Sequence, residues 1–347
     1  MKRKMGKVAV IGTTEWGTTL GIMLSRKGMG VSLWARTEEE AEKLNRDREN
    51  TLRLPGFPFP KGLRTTALLD EALDKACLII LAVPSQDMRR NVILIKERLD
   101  SSIFILSVAK GLEVKSVKRM SQVISEEIDP CFHPNICALS GPNLSKEIAR
   151  GLPATTVVAA YDASVAAKVQ KLMATPLFRV YINTDVVGVE LGGALKNIIA
   201  LAAGMVDGLG YGNNTKAGLI TRGLAEITRL GVEAGANPLT FAGLAGLGDL
   251  VATCASPLSR NRFVGHELAK GCPLGEITAS MKGIAEGINT TVAALRLAGK
   301  LKVEMPIAEQ VYRVLFEGLD VHEAVSELMV RELKHEFAGI MGSVTEH

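Results

Sequence analysis

The chain has 347 residues, enough for two average domains, and its 47% hydrophobic and 22% charged residues give it an ordinary globular composition. Aromatic residues make up only 4% of the chain, which argues against an aromatic-rich nucleic-acid platform. The net charge is only +4, and so small an excess of positive charge does not require a polyanionic partner. The charge balance is compatible with a small anionic substrate held by a few local cations.

Short apolar, β-branched runs alternate with helical stretches through the first half of the chain. The first predicted helix covers residues 16–27, and predicted strands cover residues 8–11, 31–35, 77–83, 103–107 and 136–140. Nearly continuous apolar strands separated by helices are typical of a doubly wound parallel sheet. Two further runs, residues 154–160 and 179–183, are expected to extend this sheet.

The composition changes after about residue 187, where long segments rich in Ala, Leu, Ile and Gly have helical spacing. The segment 189–205 is apolar nearly all round, which predicts a helix in the middle of a bundle or at a subunit interface. We therefore expect an α/β domain over residues 1–187, an all-α domain over residues 188–347, and a homodimer.

Cysteine usage and hydropathy bear on the compartment. The five cysteines are odd in number and lack CxxC spacing, so neither a disulfide framework nor a metal site is indicated. The apolar run 8–11 ends at Gly12, too early for a signal peptide, and no uninterrupted apolar stretch reaches the length of a membrane span. We expect a cytoplasmic protein with no nucleic-acid or membrane partner.

Two glycines flank the first predicted strand-to-helix turn, which predicts a dinucleotide site over Gly12-Thr13-Thr14-Glu15-Trp16-Gly17. Small residues let the chain turn sharply and let the helix N-terminus approach a pyrophosphate. Thr14 stands where the middle glycine of the GxGxxG pattern is expected, so either the loop is displaced or the threonine hydroxyl donates a hydrogen bond. The alternative is an ordinary tight turn.

The end of the second strand usually carries an acidic residue that binds the adenosine ribose. Here Arg36 follows the strand, and no acid appears until Glu38. An arginine suits the 2′-phosphate of NADP better than a bare 2′-hydroxyl, which makes NADPH plausible. Because Arg36 could equally stack on adenine or be solvated, NAD and NADP both stay open.

Ligands of open α/β sheets gather beyond the carboxyl ends of the strands. Lys110 is the only cation placed directly at such an end, and it is a candidate for contact with an anion or a carbonyl; the alternative is a surface lysine. The fifth predicted strand is followed by a segment that carries Gly141, Asn143 and Ser145.

Lys196 is unusual because its helix has scarcely any polar face. A lysine is rarely buried unless it is paired or used, although it could snorkel from the helix edge. Asp249 is similarly an isolated acid in an apolar, Gly-rich stretch, with Thr253 one turn later. It is either a helix N-cap or the partner of Lys196 in a buried acid–base pair.

The run Ser259-Arg260-Asn261-Arg262 concentrates hydroxyl, guanidinium and amide donors. Arginine matches a phosphate dianion through bidentate contacts, and a solvated loop arginine is the alternative. With this run, the chain resembles the bacterial NAD(P)-dependent glycerol-3-phosphate dehydrogenases. The resemblance covers nearly the whole chain except the tail after Arg331, and it is carried by Trp16-Gly17-Thr18, Lys110-Gly111-Leu112-Glu113, Ser140-Gly141-Pro142-Asn143, Leu191-Gly192-Gly193-Ala194-Leu195-Lys196-Asn197, Leu219-Ile220-Thr221-Arg222-Gly223, Ala245-Gly246-Leu247-Gly248-Asp249-Leu250 and Ser259-Arg260-Asn261.

The resemblance implies a Rossmann-like dinucleotide-binding domain followed by an all-helical substrate-binding domain. It implies that the catalytic residues are Lys196, Lys110 and Asp249. Of these, Lys196 is expected to exchange a proton with the C2 oxygen of the substrate. It implies a substrate site of Lys110, Gly141, Asn143, Lys196, Asp249, Thr253, Ser259, Arg260 and Asn261, with Arg260 and Asn261 on the phosphate. The expected cofactor site is Gly12, Thr14, Glu15, Trp16, Gly17, Arg36, Lys110, Ser145, Arg260, Ile284 and Glu286.

The expected reaction is the reversible NAD(P)H-dependent reduction of dihydroxyacetone phosphate to sn-glycerol 3-phosphate, for glycerophospholipid synthesis. Thr14 and Ala109, which precedes Lys110 where Thr or Cys is frequent, depart from the family pattern. A related β-hydroxyacid or ketopantoate-type dehydrogenase is one alternative. A non-catalytic dinucleotide-binding sensor is another, suggested by the altered fingerprint at Thr14.

Overall fold

The computed structural model describes residues 6–100, 102–333 and 336, so most of the tail after Arg331 lies outside the described residues. The chain forms two compact units. The first comprises the residues up to Ala109 together with Met120–Val186, and the second comprises Lys110–Arg119 together with the residues from Val187 onward. Residues 110–119 thus group with the second unit, whereas a single boundary near residue 187 assigns them to the first.

Ten strands are present among the described residues. Eight form one sheet in the order β10-β9-β8-β5-β4-β1-β2-β3, and the other two, β6 and β7, form an antiparallel hairpin. Their bounds are β1 (Lys7–Ile11), β2 (Gly30–Trp34), β3 (Leu63–Thr66), β4 (Ala76–Leu81), β5 (Phe104–Ser107), β6 (Leu112–Glu113), β7 (Lys118–Arg119), β8 (Ile136–Ser140), β9 (Ala154–Ala159) and β10 (Phe178–Asn183).

The large sheet is covered on both faces, which explains why its central strands β1, β4, β5 and β8 are largely apolar. In β1, Val8 and Val10 pack into one buried cluster, whereas Ala9 and Ile11 pack into another. Because successive side chains of a strand point to opposite faces, a strand buried on both faces has no polar alternation.

One pair of strands departs from a fully parallel sheet. Strand β9 runs antiparallel to β8, while β10 runs parallel to β9. Parallel neighbours need a crossover, usually through a full helix. The connection between β8 and β9 contains only the five-residue helix Ser145–Ala149, and the chain turns back beside the strand it has just left.

Helices of the first unit flank the sheet, and helices form nearly all of the second unit. Those of the first are α1 (Glu15–Arg26), α2 (Glu38–Asp47), α3 (Leu69–Leu73), α4 (Met88–Ile95), α5 (Met120–Glu127), α6 (Ser145–Ala149) and α7 (Ala163–Met173). The remaining helices are α8 (Val186–Gly208), α9 (Asn213–Glu233), α10 (Pro238–Phe241), α11 (Asp249–Ala255), α12 (Arg260–Ala269), α13 (Leu274–Ser280), α14 (Glu286–Leu301), α15 (Pro306–Phe316) and α16 (Val321–Met329).

Helix α8 forms the centre of the second unit. The helix has 23 residues, and an 18-residue window of it has a mean hydropathy of 1.6, so by length and composition it could cross a membrane, but 89% of that window is buried inside the protein. A second stretch, Pro238–Ala255, passes the same test with 44% buried. Burial of α8 agrees with the predicted place of segment 189–205 in the middle of a bundle.

Strand β3 and the β6–β7 hairpin were not predicted from the sequence. Strand β3 has the sequence Leu-Arg-Thr-Thr, which lacks the apolar run that revealed the other strands, because it is an edge strand paired only with β2. The β6–β7 hairpin has two residues in each strand, too few for a periodic pattern.

Candidate functional site

The turn between β1 and α1 can be built only with glycine at two positions. Gly12 has a φ of 108°, and a Cβ atom there would lie 2.7 Å from the carbonyl oxygen of Ala82. A Cβ atom on Gly17 would lie 2.3 Å from the carbonyl oxygen of Gly12. The start of α1 therefore packs closely against the end of β1, as a pyrophosphate-binding turn requires.

Thr14 uses its hydroxyl group within the protein. The hydroxyl accepts a hydrogen bond from the N–H of Gly17 at 3.0 Å, which caps α1, and donates one to the carbonyl oxygen of Ala82 at 2.8 Å. The sequence left open whether the loop is displaced or the threonine hydroxyl donates a hydrogen bond. The hydroxyl does donate one, but to the backbone carbonyl of Ala82. Glu15 and Trp16 form the first turn of α1, and the indole Nε1 of Trp16 is buried without a partner among the described residues.

An acid lies near the end of β2, although it does not directly follow the strand in sequence but belongs to the first turn of α2. Arg36 is exposed, as expected for a residue just beyond the strand. The Glu40 carboxylate accepts from the backbone N–H of Arg36 at 3.2 Å and from the hydroxyl of Thr13 at 2.5 Å. The residues that directly follow β2 do not indicate Glu40, because it is the first turn of α2 that brings its carboxylate back to the strand end.

Polar atoms without partners mark the carboxyl ends of β5 and β8. The hydroxyl oxygens of Ser107 and Ser140 and the Oδ1 atom of Asn143 are buried and unpaired among the described residues. Asn143 Nδ2 donates to Thr156 Oγ1 at 3.2 Å. Gly141, with a φ of 142°, passes so close that a Cβ atom would lie 3.0 Å from the Cα of Thr156. A bound ligand can satisfy such orphaned acceptors and donors.

Ser145, the remaining predicted residue of this unit, begins the short helix α6. Its carbonyl oxygen accepts a hydrogen bond from the hydroxyl of Thr19, on α1, at 3.4 Å. The glycine turn and the orphaned polar atoms together fit a nucleotide cofactor. Within the part of the chain that the structure describes, no group of three or more His, Cys, Asp or Glu side chains could hold a metal ion.

In the second unit, one carboxylate binds two lysines. Asp249 accepts from Lys196 Nζ at its Oδ1 atom, 2.7 Å away, and from Lys110 Nζ at its Oδ2 atom, 2.6 Å away. Lys196 and Asp249 are 5% and 2% exposed. Lys196 therefore does not snorkel from the helix edge. Of the two outcomes that the sequence left open, the structure has the buried lysine paired with an acid.

Thr253 completes this group. Lys196 also donates to its hydroxyl, which in turn donates to the backbone carbonyl of Asp249 at 2.6 Å. The Asp249 side chain does not cap α11, so the N-cap alternative does not hold. Close packing explains Gly246, which precedes Asp249, because a Cβ atom there would lie 2.1 Å from the carbonyl oxygen of Phe241.

The charges of this group do not cancel. Two ammonium groups share one carboxylate, which leaves a formal excess of one positive charge in a buried setting. Burial lowers the pKa of Lys110 to about 8, with the neighbouring Lys196 acting in the same direction and the Asp249 carboxylate opposing both. A proton held with that affinity can be exchanged near neutral pH.

A chain of amide hydrogen bonds supports the Lys110 backbone. Asn197 Nδ2 donates to the carbonyl oxygen of Lys110 at 3.1 Å, and Asn197 Oδ1 accepts from Asn261 Nδ2 at 2.8 Å. Asn261 Oδ1 accepts in turn from the backbone N–H of Gly287 at 2.9 Å. The sequence analysis gave Asn197 no role, and its position beside Lys196 was the only available signal.

The hairpin that follows Lys110 is fixed to α8 by a buried ion pair. Arg119 Nη1, on β7, donates to Glu190 Oε2 at 2.5 Å, and these side chains are 11% and 7% exposed. Leu112, on β6, packs in the same hydrophobic cluster as Leu191 of α8. The element that carries Lys110 is thus held against the helix that carries Lys196.

The predicted phosphate residues lie at the start of α12. Ser259 caps this helix by accepting from the N–H of Arg262 at 3.2 Å, and Asn261 is buried in the amide chain described above. Arg260 is exposed, packs closely on Gly283, and has no acidic partner among the described residues. A helix N-terminus with an uncompensated guanidinium suits a phosphate dianion.

Two predicted cofactor residues lie nearby in this unit. Ile284 is 46% exposed, and Glu286 begins α14. Both follow Gly283, on which Arg260 packs, so they flank the start of α12.

Comparison with known proteins gives family matches over both units. Residues 7–166 match the family model of the NAD-dependent glycerol-3-phosphate dehydrogenase N-terminus, and residues 185–326 match that of the C-terminus. A protein of Dehalococcoides mccartyi named glycerol-3-phosphate dehydrogenase [NAD(P)+] is 54% identical over 336 residues, which are 96% of this chain and 94% of that protein. The resemblance inferred from the sequence is therefore confirmed.

Solved structures agree with the family matches. The crystal structure of glycerol-3-phosphate dehydrogenase from Coxiella burnetii has a TM-score of 0.89 and 36% identity, covering 94% of this chain and 99% of that one. A ketopantoate reductase from Ralstonia eutropha has a TM-score of 0.58 at 15% identity over 93% and 99% of the two chains, a likeness of fold alone. The expected Rossmann-like sheet followed by a helical domain is thus confirmed.

Proposed function

The chain belongs to the NAD-dependent glycerol-3-phosphate dehydrogenase family, and we propose that it reduces dihydroxyacetone phosphate to sn-glycerol 3-phosphate with NADH or NADPH. The reaction is reversible, and its product is a precursor for glycerophospholipid synthesis. The observation that carries this proposal is the buried group in which Lys196 and Lys110 share the carboxylate of Asp249.

The substrate phosphate binds, in this proposal, at the start of α12. Arg260 supplies a guanidinium without an acidic partner among the described residues, and the N-terminus of the ten-residue helix supplies a partial positive charge. Binding the phosphate away from the reacting carbon restricts the position of the C2 carbonyl. Asn261, whose amide is engaged on both sides, acts by holding this region in shape.

The proton step belongs to the lysine pair. As the C2 carbon is reduced, negative charge grows on its oxygen, and the excess positive charge of the group stabilises it. Lys196 donates its proton to that oxygen, which completes the hydroxyl of the product and leaves a neutral amine. Asp249 and Thr253 hold Lys196 in one orientation, and Lys110 adds a second cation.

The first unit carries the cofactor site. Bound NADH or NADPH supplies the hydride that reduces the C2 carbon. Gly12, Gly17 and the capped start of α1 are proposed to hold the pyrophosphate, with Glu15 and Trp16 in the same turn. The orphaned polar atoms of Ser107, Ser140 and Asn143 remain for a bound ligand to satisfy; of these, Asn143 was also expected to contact the substrate.

The cell compartment and the assembly remain our proposals. All five cysteines are unpaired, as in proteins of a reducing cytoplasm. Leu247, Val251, Leu258 and Phe263 expose apolar surface on α11, on α12 and on the segments that precede these two helices, which supports a homodimer. Sedimentation equilibrium over a range of concentrations tests the dimer. We propose neither a nucleic-acid nor a membrane partner.

Steady-state kinetics test the function and its rivals. We expect oxidation of NADH or NADPH with dihydroxyacetone phosphate. We expect little oxidation with ketopantoate or with other 2-oxo acids, and little with unphosphorylated dihydroxyacetone. Faster turnover of ketopantoate would favour the related β-hydroxyacid or ketopantoate-type dehydrogenases, and the fold of a ketopantoate reductase is similar to that of this chain. Cofactor binding without turnover of any of these carbonyls would favour a sensor.

A further inference from the structure

The carboxylate of Glu40 connects two segments, the glycine turn after β1 and the residues just beyond β2, which border the adenosine side of a dinucleotide site. One oxygen accepts from the hydroxyl of Thr13, in the glycine turn after β1, at 2.5 Å. The other accepts from the backbone N–H of Arg36, just beyond β2, at 3.2 Å. In doubly wound sheets, the adenosine ribose binds at the end of this second strand.

Helix capping alone does not account for this position. Thr37 caps α2 by accepting from the N–H of Glu40 at 3.2 Å, so Glu40 stands at the third helical position, where a capping box has its acid. In a capping box that acid returns to the N–H of the cap residue. Glu40 instead reaches one residue further back and also across to the glycine turn.

Its neighbours in the same helical turn behave differently. Glu38 and Glu39 are exposed, whereas Glu40 is partly buried and makes both contacts described above. The carboxylate is therefore held in place at the strand end, with lone pairs remaining for a further donor. A ribose 2′-hydroxyl is such a donor, and a 2′-phosphate is a like charge.

We propose that Glu40 selects the cofactor, favouring the 2′-hydroxyl of NADH and opposing the 2′-phosphate of NADPH. This inference rests on the proposed function for the presence of a nicotinamide cofactor. The exposed guanidinium of Arg36 acts in the opposite direction, because it can pair with the 2′-phosphate. The two residues thus form an opposed pair, and their balance sets the ratio of the two affinities.

The test measures binding of NADH, NADPH and 2′-AMP by isothermal titration calorimetry, without substrate. Glu40→Gln keeps a side chain suited to the third position of a helix and removes the charge. We expect it to shift the ratio of the two dinucleotide affinities by about tenfold toward NADPH, and to tighten 2′-AMP. Arg36→Gln should shift the ratio toward NADH.

Glu39→Gln is the matched control, because it removes the same charge from the adjacent, exposed position. We expect it to change the ratio by less than about twofold, since a solvated charge is screened. An unchanged ratio in Glu40→Gln, or an equal shift in Glu39→Gln, would overturn the proposal. Thermal unfolding of each variant separates loss of fold from loss of selection. If dinucleotides bind but dihydroxyacetone phosphate is not reduced, the proposed function fails and the selection result stands.

Discussion

The side-chain amide of Asn197 donates a hydrogen bond to the backbone carbonyl of Lys110 at 3.1 Å. Because Asn197 directly follows Lys196 in α8, the helix that carries one lysine also holds the backbone of the other. The two ammonium groups are therefore fixed relative to each other through the main chain as well as through the carboxylate of Asp249.

Replacing Asn197 should displace Lys110. Asn197→Leu keeps the approximate volume but removes the hydrogen bonds that Asn197 makes to the Lys110 carbonyl and accepts from the Asn261 amide, at a cost of about 1–3 kcal/mol for each buried bond. We expect kcat/KM for dihydroxyacetone phosphate to fall by about 10–100-fold. The matched control is Asn91→Leu, which removes a similar bond to the carbonyl of Asp87 in the first unit. Equal activity losses in the two variants would argue that Asn197 has only a general structural effect.

The rate of reduction should fall as the pH rises through the pKa of Lys110. That pKa is lowered to about 8, so the ammonium form is lost above this value and its positive charge no longer supports the developing oxyanion. Asp249 raises this pKa, and Asp249→Asn should therefore move the alkaline limb to lower pH. The pH profile of kcat/KM measures both effects. If Lys110→Met retains the limb, another group is responsible for it.

Thr14 should stabilise the protein through its hydroxyl. Thr14→Ala removes both the cap of α1 and the bond to Ala82, and we expect the free energy of unfolding to fall by about 0.5–2 kcal/mol. Thr14→Ser retains the hydroxyl and should retain most of the stability. Urea unfolding compares the two variants, and equal losses would show that the methyl group, rather than the hydroxyl, supports the turn.

Glu226 should make stability depend on pH. It is fully buried in α9 and accepts from the N–H groups of Ile307 and Ala308, at 2.8 and 2.9 Å, at the start of α15. Burial raises its pKa from 4.5 to about 7, against the opposing effect of these two hydrogen bonds. A carboxyl whose pKa is higher in the folded state adds stability at low pH, and this contribution is lost as the pH rises through about 7.

Glu226→Gln should remove that dependence. Its side-chain amide has a single acceptor atom for the two N–H groups, so we also expect a loss of about 1–3 kcal/mol. Urea unfolding at several pH values, compared with the unsubstituted protein, isolates the contribution of this residue. Glu233→Gln, at the exposed end of the same helix, is the control. A difference between Glu226→Gln and the unsubstituted protein that stays constant with pH would contradict the assignment.

The sequence was informative where burial dictated composition. The central strands of the sheet were predicted because they are buried on both faces, and Lys196 and Asp249 were singled out because each is an isolated charge in an apolar segment. The edge strand β3 was missed because half of its four residues are threonine and one is arginine.

Contacts between distant parts of the chain could not be predicted in this way. Asn197 lies 87 residues from Lys110, and no local pattern indicates that its amide supports that carbonyl. Glu40 is the third of three consecutive glutamates, and only the path of the chain from β2 into α2 distinguishes it from the other two.

The most direct test of the central claim is the kinetic comparison of Lys196→Met with the unsubstituted protein, using dihydroxyacetone phosphate. Methionine fills a similar volume but cannot stabilise or protonate the C2 oxygen. We predict a fall in kcat of about 10²–10⁴-fold with cofactor binding retained. A kcat within a few-fold of the unsubstituted protein would contradict the assignment of Lys196 as the proton donor.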